Sequence, residues 1–455
     1  MFSIVKDWDI MNFFILIGVL LFVGKIIKEK IPFLNRVIIP TALIAGFIGL
    51  MLSEGFLGLI PYARDGVLKE LVYHSLAIGF IALSLKRDQN KTTKKIWSTG
   101  MIIVIIYLLQ AIIGAGVVAL FFKDIFLGAG LLLPLGFGQG PGLATSIGQG
   151  YAEGIGVLTD GAALGATIAS VGFLVGGVLG VVALNYLSRK HNLKVDKIHR
   201  ENSSIKETFE FESIGELRVF DALTTQVAII FVIYGAVYLT LVFLEGYLLP
   251  QLGDLGVTFA GVFHGFNFLI GIIYALLFKK ILVTLDKKGK NVNFMTNNYI
   301  LSNISSIAFN FLIAAAVLTI TIESIKAYYL LVIVMAFVGA LFTYLLVGFL
   351  VKKIYPEKYH VHYFLGLFGM LTGTASTGLA LLKGVDSDFE SPVAEELVLG
   401  SGTAISMALP LFALLMFPGL AIENSNNLFN VLVFLVPIIY ISILIFIVLF
   451  INRKK

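Results

Sequence analysis

The chain has 455 residues, of which 58% are hydrophobic and only 13% are charged, and its net charge is +5. Soluble domains carry about 25% charged residues, so this composition excludes a soluble globular protein and indicates a protein embedded in lipid. The chain contains no cysteine, which excludes disulfides, a thiol nucleophile and Cys-based metal sites.

Apolar segments follow one another along almost the whole chain. Runs of about 20 apolar residues cross a bilayer as helices, whereas the strands of a membrane barrel alternate over about 10 residues. The sequence therefore predicts an all-α polytopic membrane protein with about eleven transmembrane helices. The predicted spans are 11–29, 37–52, 68–85, 97–122, 158–187, 217–247, 255–279, 298–322, 325–352, 395–418 and 429–452.

Two further apolar stretches, 127–150 and 362–384, are interrupted by glycine and small polar residues. If both are re-entrant hairpins, every Lys/Arg cluster between the spans lies on one side of the membrane. The positive-inside bias makes that side the cytoplasm, with the N-terminus outside and the C-terminus inside. The same clusters explain the basic charge without nucleic-acid binding.

The two halves of the chain share a pattern. Gly136 aligns with Gly369 at an offset of 233 residues, which also aligns Gly140 with Gly373. Five spans separate the hairpins, so they enter from opposite sides, as in the inverted repeats of secondary transporters. The predicted organisation is a first repeat (1–187), a cytoplasmic linker (188–216), a second repeat (217–418), and an extra transmembrane helix with a basic tail (429–455).

The hairpin tips are the candidate site. Non-helical backbone at membrane depth is tolerated where it lines a cavity. Half-helix N-termini attract anions, while carbonyl and hydroxyl oxygens suit Na⁺. The predicted substrate-binding residues are Gln139, Gly140, Gly142, Thr145, Ser146, Gly373, Thr374, Ser376 and Thr377. The predicted sodium-binding residues are Thr372, Ser306 and Asn310.

Several polar and small residues also have a purely structural interpretation. Small residues also let helices pack closely, and this is the interpretation of the stripe Gly172, Gly176 and Gly180. Asn310 could equally make a helix–helix hydrogen bond. His74 and His264 could relay protons, although hydrogen-bonded structural roles are favoured. The default for the polar residues that follow the tips is a solvated cap; they are Glu153, Asp160, Lys383, Asp386 and Asp388.

No sequence motif of an enzyme is present, and no buried acidic chain of the kind a proton pump needs. Na⁺ is therefore favoured over H⁺ as the coupling ion, with no other metal or cofactor. A channel would need matching polar rings along several spans, and a sensor would need a soluble output domain. The pattern favours neither.

Several segments resemble the bacterial sodium/glutamate symporter family over most of residues 10–418. They are Ile39-Pro40, Ala77-Ile78-Gly79, the first tip, Tyr151 to Gly154, Gly172 to Gly177, and Gly369 to Ala380. The resemblance implies two five-span inverted repeats, a homodimer in the bacterial plasma membrane, and Na⁺-driven uptake of L-glutamate by an elevator-like movement.

The chain departs from the family pattern at several polar positions. Gln139-Gly140-Pro141 replaces His-Gly-Thr, and Ala77, Ile81 and Leu381 replace polar residues. A related small carboxylate, or another organic anion with altered ion coupling, is therefore kept as an alternative substrate, and a channel as a less favoured one.

Overall fold

A computed structural model describes most of the chain. The described residues are 9–32, 34, 39–54, 56–60, 66–86, 94–191, 193, 216–252, 267–290, 292, 295–386 and 391–452. About 86% of them are helical. Within these residues the only extended pairing is an isolated bridge between Ser53 and Ile60. The predicted all-α membrane protein is confirmed at this level. Most of the predicted linker, His264, Asp388 and the basic tail lie outside the described residues.

The helices are labelled here in chain order. They are α1 (Asp9–Lys30), α2 (Thr41–Leu52), α3 (Gly66–Leu85), α4 (Lys94–Phe121), α5 (Gly128–Pro134), α6 (Pro141–Gln149), α7 (Gly161–Leu174), α8 (Gly180–Lys190), α9 (Glu216–Phe243), α10 (Asn267–Lys287), α11 (Asn298–Leu318), α12 (Ile322–Ile354), α13 (His360–Thr372), α14 (Ala375–Lys383), α15 (Val393–Met407), α16 (Leu409–Leu414), α17 (Phe417–Glu423) and α18 (Leu428–Asn452). Wider π-turns extend α5, α6 and α9 and join α7 to α8.

Nine helical segments in the described part of the chain are long and apolar enough to cross a membrane: α1, α3, α4, α7–α8, α9, α10, α11, α12 and α18. The predicted second span is only the 12-residue helix α2. At 1.5 Å per residue it is about 18 Å long, which is shorter than a hydrocarbon core of about 30 Å.

Two other predicted spans differ from the structure. Segment 395–418 is divided among α15, α16 and α17, and the first break falls at Ala408, two residues before Pro410. Proline cannot donate the backbone hydrogen bond that a continuous helix needs, which explains that break. The predicted span 255–279 is described only from Asn267, and α10 continues to Lys287. Lys279 and Lys280 therefore lie inside a helix, whereas the sequence placed them in the loop after it.

One set of helices surrounds the crossing of α3 and α11. We call it bundle A (α1–α3 and α9–α11). A β-carbon built on Gly79 would lie 2.7 Å from the Phe309 ring, so glycine permits the close approach of α3 to α11. The rings of Phe80 and Phe309 pack edge to face at 5.4 Å. Helix α2 packs on α1 and α11, and α10 packs on α9 and α3.

The second set, bundle B (α4–α8 and α12–α18), is built around α4. Gly114 of α4 meets Gly130 of α5 so closely that a β-carbon on Gly114 would lie 2.0 Å from the Gly130 carbonyl oxygen. Helix α4 also packs against α12, α15 and α18. Bundle B contacts bundle A chiefly through α6, which touches α3 and α11, and through α7, which touches α11.

Candidate functional site

The first broken stretch is a helix pair interrupted at Gly140. Helix α5 and its π-turn end at Gln139, and α6 begins at Pro141. Gly140 has φ +85° and ψ −179°, a backbone conformation that is essentially confined to glycine. Proline at the first position of α6 fits because that position needs no donor. This pair, residues 128–149, is hairpin 1, and its limits agree with the predicted 127–150.

The second broken stretch has the same design. Helix α13 ends at Thr372, and α14 begins at Ala375 after the two-residue break Gly373-Thr374. This pair, residues 360–383, is hairpin 2, close to the predicted 362–384. Its two arms pack through glycine, because a β-carbon on Gly378 would lie 2.3 Å from the Gly366 carbonyl oxygen.

The two tips meet. A β-carbon built on Gly140 would lie 3.5 Å from the Thr374 methyl carbon, which is ordinary van der Waals contact. Gly140 and Thr374 are the residues that immediately precede α6 and α14. The first amides of a helix lack an intrahelical acceptor, and its N-terminus carries partial positive charge. Two such ends therefore converge where the hairpins touch, an arrangement suited to a carboxylate.

Two buried hydroxyls lie on the second arms just beyond the tips. Thr145 of α6 is fully buried and Thr377 of α14 is 1% exposed. Neither hydroxyl oxygen has a hydrogen-bond partner among the described residues. A buried polar group without a partner is costly, so each hydroxyl is available to a ligand. Thr372 differs, because its hydroxyl donates to the Phe368 carbonyl oxygen at 2.7 Å.

The glycine stripe on α7 and α8 faces hairpin 2. A β-carbon on Gly172 would lie 2.9 Å from the Thr372 carbonyl oxygen, and one on Gly176 would lie 3.0 Å from the Thr372 hydroxyl. Gly180 faces the side chain of Leu381. The stripe is thus a packing surface, as the sequence indicated, and what it packs against is hairpin 2.

The remaining predicted site residues fall into two groups. Gln139, Gly142 and Ser146 lie on hairpin 1, where a β-carbon on Gly142 would meet Leu312 of α11 at 2.5 Å. Ser376 lies in α14. Ser306 and Asn310, both on α11, are exposed at the surface of the protein.

Three other polar residues named from the sequence have structural partners. His74 Nδ1 lies 2.5 Å from the Tyr234 hydroxyl. Glu153 pairs with Lys69 of α3. Asp386 accepts from the Ser391 backbone amide at 3.1 Å.

Three side chains that sequence reasoning did not single out for the site hold the hairpins. The Tyr107 hydroxyl of α4 donates to the Gly138 carbonyl oxygen at 3.0 Å. Gln110 donates to the Thr343 hydroxyl and the Leu371 carbonyl oxygen, both at 2.9 Å. Glu396 of α15, only 7% exposed, accepts from the Tyr363 hydroxyl at 2.5 Å. The one sequence feature that pointed to Glu396 was its position at the edge of the predicted span 395–418.

No protein-family model matches the chain, and no curated protein matches it.

Proposed function

We propose that the protein is a sodium-coupled symporter that imports L-glutamate or a related small carboxylate and that it belongs with the bacterial sodium/glutamate symporters its sequence resembles. The observation that carries the proposal is the contact between the two hairpin tips, Gly140 against Thr374. Two helix N-termini that converge at interrupted helices supply positive charge to an anionic substrate without a buried Lys or Arg. The protein is a carrier in this proposal, with no catalytic residues.

Packing within the protein supports an inverted repeat. If the halves are equivalent, α1–α3 correspond to α9–α11, α4 to α12, hairpin 1 to hairpin 2, and α7–α8 to α15–α17. Exchanging the halves then turns the contact between α2 and α11 into the contact between α10 and α3, and both contacts are present. It likewise turns the contact between α4 and α15 into the contact between α12 and α7, and both are again present.

Individual residues follow the same relation. Gln110 and Thr343, which share a hydrogen bond, are separated by 233 residues, the offset that aligns the hairpins. Equivalent residues contact one another only where a twofold axis passes between them, so this bond supports an axis between α4 and α12.

The buried hydroxyls support a cation beside the anion. Na⁺ is a hard cation that takes oxygen ligands, and unwound backbone with Ser and Thr hydroxyls supplies them. Thr145 and Thr377 have the unpartnered oxygens. In this proposal they join Gly140, Gly142, Ser146, Gly373 and Thr374 around substrate and ion, while Thr372 contributes its carbonyl oxygen. Ser306 and Asn310 of the exposed α11 face remain proposed sodium ligands for a state in which bundle B has moved.

Movement of bundle B relative to bundle A would give alternating access. The hairpins and the helices that hold them belong to bundle B, and their contacts with bundle A run chiefly through α6 and α7. An elevator-like displacement would change these contacts, together with the Lys69–Glu153 ion pair and the packing of Phe268 on Phe412. We further propose a homodimer in the bacterial plasma membrane with the N-terminus outside and the C-terminus in the cytoplasm.

Transport of labelled L-glutamate into proteoliposomes tests the proposal. With an inward Na⁺ gradient we expect uptake, and with K⁺ in place of Na⁺ we expect none. Thr145→Val and Thr377→Val remove one oxygen each at nearly constant shape, and each should lower initial uptake at least tenfold. Thr284→Val is the matched control, because that hydroxyl of α10 bonds to the Lys280 carbonyl oxygen and is exposed.

The other possible results of the transport assay distinguish the alternative functions. Uptake of a different carboxylate, but not glutamate, would keep the carrier and change its substrate. Ion flux without any solute requirement would replace the carrier by a channel. Equal loss of uptake in all three threonine variants would remove the tips from the site.

A further inference from the structure

Among the carboxylates whose exposure the structure describes, Glu396 is the only one that is buried. It lies near the start of α15, and its partner Tyr363 lies in the first turn of α13, the opening arm of hairpin 2. The hydrogen bond between them, 2.5 Å long, therefore joins the base of the hairpin to the next helix. An ionisable group buried in a membrane protein is a candidate for function.

Two further side chains extend this contact into a cluster. The rings of Tyr363 and Tyr355 stack with their centroids 3.6 Å apart. The Tyr355 hydroxyl lies 2.7 Å from the Thr99 hydroxyl of α4. Thr99, Tyr355, Tyr363 and Glu396, here called the base cluster, thus connect α4, the end of α12, hairpin 2 and α15. Lys95 lies one helical turn before Thr99, at the start of α4.

Burial of Glu396 depends on hairpin 2 being seated. Leu397 is the residue after Glu396 in α15. A β-carbon built on Gly366 of α13 would lie 2.3 Å from the Leu397 side chain, so α13 packs directly on the turn of α15 that carries Glu396. Withdrawal of α13 would remove both the Tyr363 hydroxyl and this cover. Glu396 would then be exposed to water.

The charged groups around Glu396 have opposite effects on its ionisation. Lys95 on α4 favours the ionised carboxylate, and Glu395 on α15 disfavours it. Tyr355 and Tyr363 are the other titratable groups that face it, from α12 and α13. Removal of water disfavours a charged carboxylate strongly. A single hydroxyl donor and the positive end of α15 compensate for only part of that cost.

We propose that Glu396 is a proton-binding site coupled to hairpin 2, neutral while the hairpin is seated and ionised when the hairpin is withdrawn. Proton binding and seating then favour each other, because linkage between two equilibria is reciprocal. Alkaline conditions loosen the hairpin, and acid conditions hold it. The bound species is a proton from the side of the membrane on which Lys95 lies. This site is independent of which solute the protein carries.

The absence of cysteine makes a clean test possible. Met370→Cys introduces a single thiol at a buried position of α13, two helical turns from Tyr363 and on the same face. Its rate of labelling by a water-soluble maleimide reports withdrawal of the hairpin in purified protein, and no substrate is needed. The rate is measured from about pH 6 to about pH 9, above the usual pKa of a carboxyl group, because burial raises the pKa of Glu396.

Glu396→Gln in the same background cannot ionise and keeps an acceptor for Tyr363. Comparing the two proteins at each pH cancels the pH dependence of the thiol itself. We expect equal rates at the acid end and about tenfold faster labelling with Glu396 at the alkaline end. Glu323→Gln, an exposed carboxylate in the first turn of α12 and distant from the base cluster, should leave the pH response of labelling unchanged. Tyr363→Phe should label faster at every pH and still respond to pH.

Three results would overturn the proposal. One is a constant ratio between the labelling rates with and without the Glu396→Gln change at all pH values, because a constant ratio means a structural effect. Another is faster labelling of the Glu396→Gln protein, because an ionised carboxylate would then be what holds the hairpin. The third is an equal effect of Glu323→Gln. Loss of glutamate uptake in the transport assay would leave this test untouched, since it reads only the hairpin.

Discussion

The two hairpins have similar lengths but are held in different ways. Hairpin 1 is attached to its surroundings by backbone: a β-carbon on Gly148 would lie 2.0 Å from the Gly161 carbonyl oxygen, and one on Gly165 would lie 2.1 Å from that of Ala144. Hairpin 2 has its closest backbone contacts between its own arms, at Gly366 and Gly378. Its contacts with other helices are made largely by side chains, which can move apart.

The two hairpins also differ in how completely their residues are buried. The residues from Pro141 to Gly148 of hairpin 1 are all buried. In hairpin 2, Thr374, Ala375, Leu379 and Ala380 are only partly buried. Hairpin 1 is thus fixed to α7 and moves only together with it. Hairpin 2 packs chiefly on itself and can separate from the neighbouring helices. In a carrier with a site between the tips, hairpin 2 is the gate.

The largest effect should come from filling the backbone contact of hairpin 1. Gly148→Val forces α6 away from α7, because the neighbouring atom is a carbonyl oxygen that cannot turn aside. Overpacking of this kind costs about 3 kcal/mol, a large share of a total stability of about 5 to 15 kcal/mol. We expect little monodisperse protein by gel filtration in detergent.

Gly116→Val is the control for that change. Gly116 lies in α4, and no atom lies within 4 Å of a β-carbon built on it. The substitution therefore brings the same gain in helix propensity without the clash. If both variants yield normal protein with equal melting temperatures, hairpin 1 is not fixed by its backbone and the contrast between the hairpins fails.

A smaller effect is expected where hairpin 2 meets the glycine stripe. Gly176→Leu crowds the Thr372 hydroxyl and the Thr377 methyl group, which lie 3.0 and 3.2 Å from a built β-carbon. These are side-chain atoms on a separable unit, so the protein should fold with hairpin 2 displaced. Labelling of Met370→Cys should rise about tenfold, the factor that corresponds to a change of about 1.4 kcal/mol. Gly235→Leu, in open space on α9, should leave labelling unchanged.

The limits of both hairpins could be predicted because they depend on local sequence. Gly-Gln-Gly-Pro-Gly cannot continue a helix, and Gly140 takes a conformation that only glycine accepts readily. The shortness of α2 was hidden, because an apolar run marks burial in lipid but not where helical hydrogen bonding begins. The division of 395–418 was marked only by Pro410, within a run whose hydropathy suggested one span.

Contacts between distant residues were beyond sequence reasoning. The meeting of Gly140 with Thr374, and of Tyr363 with Glu396, depends on how whole helices pack. The same holds for Ser306 and Asn310, whose polarity is evident in the sequence but whose exposed face is determined by the neighbours of α11. The hydroxyls of Thr145 and Thr377 became notable only when their lack of a partner could be seen.

The smallest effect should come from the ion pair outside hairpin 1. Glu153 follows α6 and pairs with Lys69, but their side chains are 52% and 33% exposed. Exposed pairs contribute about 0 to 1 kcal/mol, because water screens the charges and ordering the side chains costs entropy. Glu153→Gln should therefore lower the melting temperature slightly, and less so at high salt. Glu323→Gln, in the first turn of α12, is the unpaired control. A loss as large as that of Gly148→Val would mean that charge holds hairpin 1, which would make it as releasable as hairpin 2.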